Sequence, residues 1–245
     1  MAQTGFLQTL SRSLEWAATN TVSMPPPSAP VARVLVVTGG HGFPSDFFSL
    51  FDGEPRIDWH FASSQREAFG SSLAGRFDTI VFHDMGETIG DKEQANLREF
   101  VEAGGGIVST HHAIVNYTSW PWWYQQVIGG KYFVNAVDGH PKSEYKEGVD
   151  FLATAVKGMA NHPVLRGVPP LPVHDEVYRG MWQSPGIQVL MQTDHPLNDK
   201  PVVYIGPYAK ARVVYIQLGH SASTMRYPGY RRLVQNAILW TAHKD

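Results

Sequence analysis

The chain has 245 residues, 43% hydrophobic and 12% aromatic, enough for one large α/β domain with a packed core or for two small ones. Twenty Lys and Arg against 22 Asp and Glu leave a formal charge of −2 with no basic cluster, which argues against nucleic acid as a partner. Cysteine is absent, which excludes disulfides, thiolate metal sites and a cysteine nucleophile; no apolar run approaches the ~18 residues of a membrane span.

Phe6, Leu7, Leu10 and Leu14 fall at helical spacing and predict a short amphipathic docking helix. No basic residue precedes Arg12 and no continuous apolar run follows, unlike a signal peptide, so the chain reads as cytoplasmic. Met24-Pro25-Pro26-Pro27-Ser28-Ala29-Pro30 is a stiff linker. Residues 1–30 are therefore read as helix plus linker, and 31–245 as one domain.

From there strand and helix patterns alternate. Val34–Val37 is a buried strand leading into Gly39-Gly40-His41-Gly42, and Ser45 is placed to cap a helix carrying Phe47, Phe48, Leu50 and Phe51. Ile57–Phe61 and Thr79–Phe82 are further strands, the latter ending in His83-Asp84-Met85-Gly86-Glu87. Asp91–Ala103 has helical spacing and stops at Gly104. A fourth strand runs from Gly104-Gly105-Gly106 to His111-His112. Lys131–Phe151 and Val173–Arg179 predict a small β excursion, followed by strands at Ile187–Met191 and Val202–Ile205. A hairpin at Tyr208–Ala211 enters the strand Arg212–Leu218, which ends in Gly219-His220, and Tyr230–Thr241 closes the chain as a helix. The order predicts an α/β, doubly wound, mostly parallel sheet with helices on both faces.

In such a sheet ligands gather outside the carboxyl ends of the strands. His111, His112 and His220 sit at those ends, and imidazole moves protons near neutral pH. Adjacent residues on a strand diverge, so His111 is read as the cleft residue and His112 as its packed neighbour. His41 lies in a glycine loop suited to anions, but Pro44 breaks the dinucleotide fingerprint. Asp84 and Glu87 close the third strand, where they either orient a histidine or cap the next helix. On an extended segment His174, Glu176 and Tyr178 share one face and Asp175 takes the other. Trp120 and Tyr124, at i and i+4 in an aromatic run, offer flat rings for the apolar faces of a sugar. His162 and His195 precede prolines and read as turn residues; His60, His83 and His243 receive no role.

Together Val37-Thr38-Gly39-Gly40-His41-Gly42-Phe43, Phe82-His83-Asp84-Met85-Gly86, Gly104-Gly105-Gly106-Ile107-Val108 with His111-His112-Ala113-Ile114, Asp175-Glu176-Val177-Tyr178, Thr193-Asp194-His195-Pro196 and Leu218-Gly219-His220 resemble the ThuA-like, trehalose-utilisation family over about residues 32–242. The resemblance implies a flavodoxin-like fold similar to class I glutamine amidotransferases. It also implies a role in disaccharide use, on 3-keto derivatives of trehalose and related glycosides. Those relatives carry a cysteine nucleophile where this chain has His111 or His112, so amidotransfer is not expected.

The first expectation is an enzyme needing no organic cofactor, acting on an oxidised sugar or glycoside. His111 and His220 form its proton-transfer pair, Glu176 and Asp84 orient them, and His41, His112, Trp120, Tyr124 and Tyr178 bind substrate. A second expectation adds a divalent metal such as zinc in a hydrolase or isomerase of sugars. A third is a non-catalytic sugar-binding or regulatory module. The partner is a small carbohydrate, neither nucleic acid nor membrane, with homo-oligomerisation left open.

Overall fold

Apolar strands alternating with amphipathic helices build one large sheet in the computed structural model, which describes residues 4–22, 31–137 and 139–245, with side chains from residue 10 onward. The strands are β1 (Ala32–Gly39), β2 (Ile57–Ala62), β3 (Thr79–Asp84), β4 (Gly106–Thr110), β5 (Gly130–Lys131), β6 (Glu144–Ala155), β7 (Leu171–Arg179), β8 (Trp182–Gln183), β9 (Gln188–Gln192), β10 (Pro201–Ile205) and β11 (Val213–Ile216). The helices are α1 (Thr4–Thr19), α2 (Gln65–Phe69), α3 (Asp91–Glu102), α4 (Ala222–Arg226) and α5 (Pro228–Thr241).

The nine-stranded sheet runs β2-β1-β3-β4-β11-β10-β9-β6-β7. Its first five strands are parallel and the rest pair antiparallel, so seven of the nine point one way. Alternate residues of each central strand feed two cores. Val34, Val36, Val81, Val108 and Val214 pack with Leu233, Ala237 and Ile238 of α5. Leu35, Val37, Ile80, Ile107 and Tyr215 pack with Leu97, Phe100 and Val101 of α3 on the opposite face. Strands buried on both faces explain their near-continuous apolar runs.

Two expectations change. The mid-chain β residues are more than an excursion: β6 and β7 extend the main sheet as its antiparallel half, and only β5 and β8 form a separate two-stranded pair. Ser45 is not a cap. The segment Ser45–Phe51 is a 3₁₀ helix preceded by Pro44, with no side-chain capping bond. The proline-rich linker at 24–30 and the side chains of Phe6 and Leu7 lie outside what is described. Leu10, Leu14 and Trp16 on α1 are exposed.

Among the described residues no helix is long and apolar enough to cross a membrane.

Candidate active site

β4 ends in a backbone that only a few residue types tolerate. His111 has φ +51°, in the left-handed region, and opens a tight 3₁₀ turn, His111–Val115. A non-glycine residue held there is strained, and such strain concentrates at functional sites. The turn defeats the strand rule of diverging neighbours. The His111 and His112 rings lie 5.0 Å apart and both face the ends of the neighbouring strands.

β11 runs beside β4, and its extension carries His220 to His111: Nδ1 of His220 is 3.2 Å from Nε2 of His111. Glu176, from β7, completes a tripod. Its Oε2 is 3.3 Å from His111 Nε2 and 3.9 Å from His220 Nδ1. His111 is buried, Glu176 nearly so, and the His220 side chain is 30% exposed. β7 is the far edge of the sheet order, yet it returns to this point because Asp175 anchors it. The buried Asp175 carboxylate accepts from the amides of Gly219 and His220 at 2.9 Å, Ser221 at 3.2 Å and Glu176 at 2.9 Å.

Each remaining bond fixes a tautomer. The Gln217 carbonyl can only accept, so His111 donates from Nδ1 at 3.0 Å and its Nε2 carries the lone pair. His41 likewise donates from Nδ1 to the Gly42 carbonyl at 2.6 Å, leaving Nε2 free. His112 donates from Nε2 to the His83 carbonyl, and its buried Nδ1 has no partner. Thr110 gives its hydroxyl proton to the Phe82 carbonyl, so it accepts from His83 Nδ1, and the buried His83 Nε2 is also unpartnered. Five imidazoles thus form a continuous cluster. The His41 ring lies tilted against His112 at 4.4 Å, and His83 lies 4.6 Å from His112.

Burial is the first cause of the cluster's shifted acidities. It pulls His111 and His83 well below the usual histidine range and His112 down to about 3, with neighbouring imidazoles adding to the effect. Burial raises Glu176, opposed by the Tyr178 hydroxyl, which donates to the carboxylate. Beside the cluster is a cavity of about 210 Å³ whose walls include His41, His112, Glu176, Tyr178, Tyr132 and Tyr145, with Met85, Val115 and Val134 between polar Lys142 and Glu147. A broader groove of about 580 Å³ near Leu152, His174 and Tyr227 lies apart from it.

The family model described as ThuA, trehalose utilisation, matches residues 33–241. The chain belongs to the ThuA family. Among solved structures, a ThuA-like protein from Parabacteroides merdae is 19% identical with a TM-score of 0.72, covering 86% of this chain and 90% of that one. A ThuA-like protein from Bacteroides uniformis is 18% identical with a TM-score of 0.67, covering 92% and 97%. A cytoplasmic protein from Salmonella typhimurium is 17% identical with a TM-score of 0.60, covering 85% and 98%. At these identities the likeness establishes a shared fold. No curated protein matches the chain.

In this ThuA-family chain the structure gathers His111, His112, His220, Glu176, Tyr178 and His41, but His112 rather than His111 lines the cavity, the reverse of the roles expected for the pair. Asp84 is a correction. It is buried, and its oxygens accept from Gln65 Nε2 and Asn116 Nδ2, each at 2.8 Å, tying the turn after β3 to the turn after His111–Val115. Burial raises it to about 6, and it braces loops rather than facing the cavity. Trp120 and Tyr124 are corrections too. Trp120 stacks on Trp122 and Trp123, and Tyr124 packs edge-on to Phe133 and Trp182, so both are buried packing aromatics away from the cavity wall. His174 points outward and pairs with exposed Asp150 at 2.8 Å, leaving the face it was expected to share with Glu176. His83 and Lys131 were missed. His83 ends β3 in register with Thr38, one strand over from His111, which the strand-tip rule used for the other histidines would have found.

Two supports of the site give measurable expectations. Gly40 has φ +75°, and a Cβ there would sit 1.9 Å from the Met85 carbonyl oxygen. Gly40→Ala is expected to cost more than ~1 kcal/mol and to displace His41, seen as a lower urea midpoint. An unchanged midpoint would contradict this.

Lys131 is fully buried and donates to the Val115 and Asn116 carbonyls, and burial pulls its ammonium from 10.5 down to about 7. Between those values the unfolded chain binds the extra proton, so this group makes stability rise with pH. Urea unfolding at pH 7 and pH 9 should show the wild type gaining relative to Lys131→Met, by at most ~1.4 kcal/mol per pH unit. Parallel trends in the two proteins would count against it.

Proposed function

We propose that this chain is an enzyme acting on a carbohydrate that bears a ring carbonyl, of the 3-keto-glycoside type, with His111, Glu176 and His220 as its reactive centre. The observation that carries the reading is the convergence of two imidazoles and a carboxylate from β4, β11 and β7 within 3.2–3.9 Å beside a cavity. Family membership points to carbohydrate use. The cavity walls suit that class: tyrosines and aliphatic side chains for C–H faces, Lys142 and Glu147 for hydroxyls.

The chemistry follows from the carbonyl. It acidifies the neighbouring C–H, so one positive pole at the carbonyl oxygen and one base at the carbon suffice for isomerisation, elimination or glycoside cleavage. In this reading the partly exposed His220 ring, 3.2 Å from His111, is the donor to the carbonyl oxygen. His41, with Nε2 free and its ring 6.3 Å from that of His220, is placed to exchange the carbon-bound proton. Tyr178 and Asp175 hold Glu176 and His220 in position.

NMR of a 3-keto-glycoside incubated with the purified protein tests this reading. Conversion to a new sugar species supports it. Saturable binding with no conversion over hours would instead favour a sugar-sensing module.

A further inference from the structure

We infer that His111 Nε2, Glu176 Oε2 and His220 Nδ1 form a binding site for one divalent transition-metal ion of the zinc class. The first argument is spacing. Zinc bonds of about 2.0–2.1 Å to nitrogen or oxygen, at tetrahedral angles, separate the donor atoms by about 3.3–3.5 Å. The three pairs here are 3.2, 3.3 and 3.9 Å apart. Among the described residues this is the one group of three His or carboxylate donors gathered so tightly.

The second argument is lone-pair direction. His111 spends its only N–H on the Gln217 carbonyl, the arrangement that commits a ligating histidine to its other nitrogen. Its Nε2 therefore faces Glu176 Oε2 at 3.3 Å, acceptor against acceptor, inside the protein. His220 Nδ1 at 3.2 Å and the Tyr178 hydroxyl at 3.3 Å also approach His111 Nε2, crowding this buried point with polar atoms. One cation at the centre of the tripod resolves all three contacts together.

The third argument is the supporting shell. The Tyr178 hydroxyl lies 3.1 and 3.3 Å from Nδ1 and Nε2 of His111, and the Asp175 carboxylate accepts from the backbone amides of Gly219, His220 and Ser221. Outer partners of this kind orient metal ligands. Two neutral imidazoles and one carboxylate leave a bound dication with net positive charge and an open coordination position. Such an ion polarises a carbonyl or activates water.

This deepens the proposed function, resting on it for the location of the reactive centre. The cation becomes the positive pole, and the carbon-bound proton falls to His41.

The test uses full-length protein stripped by chelator and dialysed, titrated calorimetrically with zinc chloride, with cobalt(II) absorption as a second readout. One equivalent per chain is expected, with the intense visible bands of low-symmetry cobalt. Glu176→Gln and His220→Gln should each weaken binding by about 100-fold or more, beyond the ~10–100-fold of an outer-shell change. The exposed control His174→Gln should bind as wild type, and circular dichroism confirms that each variant is folded. Absence of a stoichiometric site, or binding unchanged in both ligand variants, overturns the metal site. Stoichiometric binding without turnover of a keto-glycoside leaves the metal site standing and removes the substrate reading. Full turnover by stripped protein that takes up no metal does the reverse.

Discussion

Replacing His220 with glutamine is expected to lower turnover of a 3-keto-glycoside by about 10²–10³-fold while the protein stays folded, the range set by loss of one group that stabilises charge at the carbonyl oxygen. The structure separates the two roles of this residue. What holds the loop is the His220 backbone amide, donated to Asp175, and glutamine keeps it. What reaches the centre is the ring, 3.2 Å from His111 and 30% exposed, and glutamine removes it. Glutamine fills similar space but neither titrates near neutrality nor offers an imidazole lone pair. Initial rates by NMR, with circular dichroism on the same samples, read the result. Wild-type turnover in folded His220→Gln would remove His220 from the chemistry.

Asp175→Ala is expected to be the most destabilising single change at the site, at about 3–5 kcal/mol. Its carboxylate, wholly buried, accepts from four backbone amides, those of Glu176, Gly219, His220 and Ser221. Each amide left orphaned costs about 1–3 kcal/mol. Burial raises the pKa of Asp175, a penalty on its charged form, so removing the charge returns part of that cost. Asp175→Asn separates the two effects. It keeps one acceptor oxygen for Glu176, His220 and Ser221, and turns an amide group toward the Gly219 N–H. Urea midpoints should therefore fall in the order wild type, Asn, Ala. An alanine variant within about 1 kcal/mol of wild type would show that the loop holds without this anchor.

The parallel half of the fold was legible because each strand there is buried on both faces and flanked by amphipathic helices, so composition and period agree. The antiparallel half was not. β6 reads as polar at Glu144, Tyr145, Lys146 and Glu147 because this end of the strand is exposed, and only its later residues, Val149, Phe151 and Ala153, face a core. Strand ends located His111 and His220, and the shared face of an extended segment located Glu176 with Tyr178. Period-two reasoning then separated His111 from His112 wrongly, because it has no term for a left-handed residue that folds the chain back on itself. The aromatic run misled for a related reason. Trp120 lies ahead of the π-helical turn Trp122–Ile128 and packs on Trp122 and Trp123, while Tyr124 meets Phe133 and Trp182, so the space beside each is filled by other rings rather than by a guest. Lys131 carried no sequence signal, since its environment is two carbonyls supplied by the turn after His111–Val115.

Whatever product forms, the proposed chemistry begins with movement of a proton at the carbon beside a sugar carbonyl. Deuterium exchange measures that step whatever the final product. A 3-keto-glycoside incubated with the protein in D₂O, followed by NMR, should lose the proton signal next to the carbonyl at a rate that scales with protein concentration and collapses in His220→Gln. Retention of that proton in the presence of wild-type protein, at the rate of the buffer control, would contradict the account.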